Sequence, residues 1–162
     1  MKKILIISVT TRNNFLLAKK IAKLLSLKYE IITLEDYELP LYDGKAKLEN
    51  RIVIKKLCDK VEKADGFIFC GPEYNGGSAP ILINALTWIS VTTDHWRDSF
   101  LDKISLIATH SGGEGGSFLS TFRRQLEFMG VIVFPRSIKV NKKDFFNEAS
   151  VRKTILRFEN LF

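Results

Sequence analysis

Short apolar runs of β character alternate with amphipathic helical stretches along this chain, and no other feature constrains its fold as tightly. Residues 3–9 form an apolar run that ends in a polar loop, as expected of a strand buried on both faces. Ala18, Ile21, Ala22 and Leu25 then recur at helical spacing, with Lys19, Lys20 and Lys23 opposite. Residues 29–34 read as a second strand, 35–47 as a loop, and 48–63 as a helix with Val53, Leu57, Cys58 and Val61 on one face. A third strand follows at 67–70. A helix starts at Pro80, whose missing N–H is not needed in a first turn. Residues 91–102 are polar and irregular, and 103–109 read as the fourth strand. Leu119, Phe122, Leu126 and Met129 mark a helix that Gly130 ends. Residues 131–134 read as the fifth strand, interrupted by Pro135, and Val151, Ile155, Phe158 and Phe162 as a C-terminal helix.

Such alternation implies a parallel sheet covered by helices on both faces, an α/β three-layer sandwich. Right-handed crossovers leave few topologies, and five strands are expected in the order 2-1-3-4-5. The 162 residues suit one domain, predicted to span 1–162. Hydrophobic residues at 46 % and charged residues at 27 % exclude wholesale disorder and a disulfide-stapled miniprotein. Cys58 and Cys70 show no CxxC spacing and are expected as reduced, buried thiols. The opening MKKILIISV is too short in its apolar run for a signal peptide, and no stretch approaches the roughly 20 apolar residues of a membrane span. A cytoplasmic protein without membrane contact is the expectation. A net charge of +7 favours anionic partners.

In such a sheet ligands bind outside the carboxyl ends of the strands. The loops there have unusual compositions. Residues 8–14 open a helix with hydroxyls, amides and one arginine, which is the chemistry of an anion site. A plain N-cap by Thr11 or Asn13 is the ordinary alternative. There is neither a P-loop nor a GxGxxG fingerprint, which argues against ATPase and Rossmann dehydrogenase readings. Residues 71–78, with Pro72, Glu73, Tyr74, Asn75 and glycines, offer a fixed backbone, a flat aromatic face and room for a planar ligand. Residues 110–116 are nearly devoid of bulk.

At these loops the chain resembles the flavodoxin-like NADPH-dependent FMN reductase family, which includes quinone, azo and chromate reductases. PEYNGG followed by SAPILINALTWIS is the specific part; SVTTRNN resembles the family's phosphate loop and SGGEGGS its second glycine-rich loop. Ile83 and Thr87 stand where the family has Lys and Asp. The resemblance implies that Ser8, Thr10, Arg12, Asn13 and Asn14 hold the FMN phosphate. It places Pro72, Glu73, Tyr74, Asn75 and Gly76 on one edge of the ring system, and Ser111, Gly112, Gly113 and Gly115 on the other side. It implies NADPH or NADH as reductant, a small-molecule electron acceptor such as a quinone, free flavin or azo compound, and a homodimer or homotetramer. No side chain is assigned to catalysis, because flavin N5 carries the hydride.

Other residues carry less. His110 and His95 lack metal-ligand spacing, and Glu35 and Asp36 read as loop charges. The basic cluster of Lys139, Lys142, Lys143, Arg152, Lys153 and Arg157 reads as a solvated face, not a nucleic-acid surface. Trp88, Trp96 and Phe100 in otherwise polar sequence suggest an interface there or on the preceding helix. An FMN-binding electron carrier that does not oxidise NAD(P)H is the alternative function; dedicated carriers tend to be acidic, and this chain is basic.

Overall fold

A computed structural model describes residues 2–45, 51–93 and 98–162. The strands are β1 (Lys3–Ser8), β2 (Lys28–Thr33), β3 (Gly66–Cys70), β4 (Glu73–Tyr74), β5 (Gly77–Ser78), β6 (Ile104–His110), β7 (Ile132–Val133) and β8 (Ile138–Val140). The helices are α1 (Asn13–Ala22), α2 (Arg51–Glu62), α3 (Pro80–Thr92), α4 (Gly116–Phe128) and α5 (Glu148–Glu159), with one 3-10 turn at Leu34–Tyr37. The main sheet is parallel in the order β2-β1-β3-β6, with β7 and β8 both on the far side of β6. The expected 2-1-3-4-5 order holds.

Strand pleating sorts the side chains between the two faces. Ile4 and Ile6 of β1, Ile68 and Cys70 of β3, and Leu106 and Ala108 of β6 face one way. They pack on Leu17, Ala18 and Ile21 of α1 and on Val151, Ile155 and Phe158 of α5. Leu5, Ile7, Phe67, Phe69 and Ile107 face α2, α3 and α4. Burial on both faces explains why these strands read as continuous apolar runs. Phe122 stacks on Phe118 at 5.4 Å and meets Phe69 edge-on at 5.1 Å, which anchors α4 beneath the strand ends.

The fifth strand differs from the sequence reading. β7 pairs with Ile104 and Ser105, the chain then leaves the sheet, and β8 pairs with Ala108, Thr109 and His110. Pro135 cannot donate to a ladder, so the strand cannot run through it. The Arg123 guanidinium fills the break, donating to the carbonyls of Val133, Phe134 and Pro135 at 3.2, 2.8 and 3.3 Å. Helix α1 stops at Ala22, so Leu25 lies beyond it, and Phe162 follows α5, its ring against Phe158 at 5.3 Å. The expected helix start at 48–50 lies outside the described residues.

Trp88 and Phe100 are 1 % and 0 % exposed, so neither can serve an interface. The Trp88 indole N–H donates to the Pro40 carbonyl at 2.7 Å, and its ring meets Tyr42 edge-on. A tryptophan whose polar handle finds a partner inside is core. His95 and Trp96 lie outside the described residues. Both cysteines are buried and free; burial pushes the Cys58 thiol up to about 11 and raises that of Cys70 as well. No helix among the described residues is long and apolar enough to cross a membrane.

Candidate functional site

The central strands end in register, Ser8 beside Cys70 and Cys70 beside Ala108, so the loops that follow them emerge at one edge. Between them lies a cleft of about 400 Å³ lined by Thr10, Arg12, Asn13, Asn14, Glu35, Pro72, Tyr74 and His110.

The loop after β1 leaves helix α1 without a side-chain cap. Arg12 occupies the N-cap position, so the ordinary alternative of a plain cap by Thr11 or Asn13 does not apply. The main-chain N–H groups of Arg12, Asn13 and Asn14 have no acceptor among the described residues. Three free donors at the positive end of a helix attract an anion. The Arg12 side chain is exposed, and no hydrogen bond or ion pair holds it among the described residues. The buried Ser8 hydroxyl donates to the Thr10 carbonyl at 2.7 Å and so shapes the loop from below. Asn14, 2 % exposed, donates from Nδ2 to the His110 carbonyl at 3.0 Å and accepts from the His110 N–H at 2.8 Å. That pair fastens the start of α1 to the end of β6. Glu35, read as a loop charge from the sequence, instead lines the cleft and accepts from the Thr11 N–H at 2.6 Å.

The loop after β3 is a hairpin. Glu73–Tyr74 pairs antiparallel with Gly77–Ser78, and Asn75 and Gly76 at its tip have φ of 49° and 73°. Two consecutive left-handed residues define a type I′ turn, which Asn-Gly suits best. Half-exposed Tyr74 projects over the cleft, and Pro72 lies on its wall. The Glu73 carboxylate accepts from the Phe118 N–H at 2.9 Å, and the Glu73 main-chain N–H donates to Ser111 Oγ at 2.9 Å. Helix α4 starts after Gly115, which has no side chain to cap it, so Glu73 supplies the cap from 45 residues away. Glu73→Ala is therefore expected to destabilise the fold by about 0.5–2 kcal/mol in urea unfolding, while Glu73→Gln retains most of the stability.

The third loop is tied from beneath. Ser111, 5 % exposed, shares a hydrogen bond with Thr109 Oγ1 at 2.8 Å and donates its N–H to the Val140 carbonyl. Gly115 has φ of 68°, and a Cβ there would lie 2.9 Å from Thr109 Cγ2, so glycine is required on both counts. Gly112 and Gly113 are exposed, with open space where a side chain would be.

The predicted residues thus separate into two groups. Thr10, Arg12, Asn13, Asn14, Pro72 and Tyr74 line the cleft, with Asn75, Gly76, Gly112 and Gly113 exposed on the flanking loops. Ser8, Glu73, Ser111 and Gly115 brace those loops through the contacts just described. Free amides and an unpaired guanidinium suit a phosphate, and the open glycines suit a flat ring, so this donor set fits FMN. The sequence reading missed Glu35; its position just after β2, the strand paired with β1, was the available signal.

The sequence profile described as NADPH-dependent FMN reductase matches residues 2–144. An NADPH azoreductase of Bacillus sp. (strain OY1-2) is 32 % identical over 117 residues, covering 70 % of this chain and 62 % of that protein. The chain thus spans under two thirds of that relative's length. The solved structure of FerB, a flavoenzyme NAD(P)H:(acceptor) oxidoreductase from Paracoccus denitrificans, superposes with a TM-score of 0.77 at 19 % identity, covering 99 % of this chain and 96 % of that one. A flavodoxin from the domain Archaea superposes at 0.67 and 14 % identity, covering 99 % of each chain. The fold is flavodoxin-like, and the family match covers most of the sequence: the chain belongs to the NADPH-dependent FMN reductase family.

Proposed function

We propose that this protein is an FMN-dependent NAD(P)H oxidoreductase that takes hydride from NADPH or NADH and passes electrons to a small acceptor such as a quinone, an azo compound or free flavin. The observation that carries this reading is the helix end with three unclaimed N–H groups beside an unpaired Arg12, under a hairpin of family-specific sequence. The NADPH azoreductase named above favours the enzyme over the electron carrier, as does the net charge of +7. Bound FMN would accept hydride at N5 and release electrons to the acceptor.

The chain's own residues have three tasks. Arg12 and the α1 amides bind the phosphate. Tyr74, the hairpin tip and Gly112–Gly113 bound the ring while leaving one face open to a second planar molecule. Glu73, Ser111 and Asn14 hold the loops at fixed spacing. No acid–base pair is needed beside the ring for hydride transfer. With NADPH and a quinone as the varied substrates, steady-state double-reciprocal plots are expected to be parallel, because reductant and acceptor use one site in turn. Intersecting lines would contradict a shared site.

We further propose a cytoplasmic homodimer. The apolar surface on α3 and α4 carries Ile83, Val91 and Phe128, the last 69 % exposed, around a hollow lined by Leu86, Thr87 and Met129. Ile83 is one of the positions where the family has a charged residue, and its apolar side chain enlarges this patch. Sedimentation showing a concentration-independent monomer would contradict the dimer.

A further inference from the structure

We infer that Glu35 is a built-in competitor of the cofactor phosphate, so that the flavin is held exchangeably. The inference rests on the reading that this cleft receives FMN by its phosphate.

An anion site is the wrong place for a carboxylate unless the carboxylate does something there. Glu35 is the second residue of the 3-10 turn that follows β2, and it lines the same cleft as Arg12, Asn13 and Asn14. It makes no ion pair with Arg12, so attraction to the guanidinium does not explain its position. It takes instead the N–H of Thr11 at 2.6 Å, a main-chain donor on the phosphate loop itself. A carboxylate on that donor occupies the place of a phosphate oxygen and satisfies the loop while no cofactor is present.

An arriving phosphate carries about −1.5 to −2 charges. It meets the free amides and Arg12 as attraction and Glu35 as repulsion, and it must displace the carboxylate to use the Thr11 N–H. The flavin's affinity is then the difference between the two. The site gives up some affinity and gains a loop that stays ordered without cofactor and releases the flavin readily. Removal of the Glu35 charge therefore tightens binding of flavins that carry a phosphate and of no others.

The test is fluorescence titration of apoprotein with FMN and, separately, with riboflavin, which lacks the phosphate. Glu35→Gln is the informative variant, because its amide oxygen still accepts from Thr11 while the charge is gone. We expect FMN to bind on the order of tenfold tighter to Glu35→Gln than to wild type, and its release in a chase with excess riboflavin to slow correspondingly. Riboflavin affinity should be unchanged, and the FMN gain should shrink at high salt. FMN affinity that is unchanged or weaker in the variant, with wild type binding FMN normally, overturns the inference and makes Glu35 a structural acceptor. Equal tightening of both flavins overturns it as well, because the effect would not act through the phosphate. Wild-type apoprotein that binds neither flavin overturns the reading of the cleft on which the inference stands.

Discussion

Arg12→Ala weakens FMN binding by about ten- to a hundredfold, the loss expected when one charged hydrogen-bonding partner of a phosphate is removed. The size of the effect follows from two observations. The guanidinium lies on the lining of the cleft with no internal partner, so it is free to meet the ligand. It also stands at the N-cap of α1 beside three free N–H groups, so its charge adds to that of the helix end. Because nothing in the fold holds the side chain, its removal leaves the urea midpoint of the apoprotein unchanged. Arg12→Lys keeps the charge and loses the fork, and falls between the two. Riboflavin affinity is insensitive to all three residues at this position. An FMN dissociation constant equal to that of wild type in Arg12→Ala would show that the guanidinium points to solvent in the complex.

Asn14→Leu destabilises the protein by about 2–4 kcal/mol, because one substitution strands a buried donor and a buried acceptor together. Asn14 is almost fully buried, and both ends of its amide are spent on the main chain of His110. Leucine matches the volume and leaves the His110 N–H and carbonyl without partners. Asn14→Asp is expected to fall short of rescue: the His110 N–H keeps an acceptor, but the His110 carbonyl faces an oxygen. Urea unfolding should show a lower midpoint with an unchanged slope. FMN affinity falls as well, since this amide fixes the phosphate loop against the end of β6. A loss below about 0.5 kcal/mol, the range of an ordinary surface substitution, would mean that water replaces both bonds.

The sheet order and the helix faces were legible because they depend on period. Ile4, Ile6, Ile68 and Leu106 alternate with Leu5, Ile7, Phe67 and Ile107, and a two-sided apolar strand is recognisable from residue types alone. The convergence of three loops on one edge followed from topology. What was not legible depends on partners distant in the chain. Nothing local to Glu73 shows that its carboxylate serves the Phe118 N–H, and nothing local to Glu35 shows that it reaches Thr11. Asn75-Gly76 did carry a hairpin signal. The flanking strands are two residues each, too short to display any period, so the segment read as a loop. Trp88 misled in the opposite direction. A tryptophan in polar sequence suggests an interface, and only the Pro40 carbonyl placed against its indole N–H makes it a core residue. Pro135 was visible as an interruption, but the return of the chain to β6 depends on Arg123 donating to three carbonyls, a contact that spans α4 and the broken strand.

We propose that this cleft holds a flavin that a nicotinamide can reach and reduce. Anaerobic stopped-flow mixing of the FMN-loaded protein with NADPH tests it most directly, with the absorbance band of oxidised flavin as the signal. Loss of that band is expected in a single phase, with a rate that saturates in NADPH and falls as salt is added, since a basic surface draws in the phosphorylated reductant. A subsequent pulse of quinone should restore the band. A flavin that stays oxidised under excess NADPH and excess NADH alike would rule out the reductase activity and leave an electron carrier in its place.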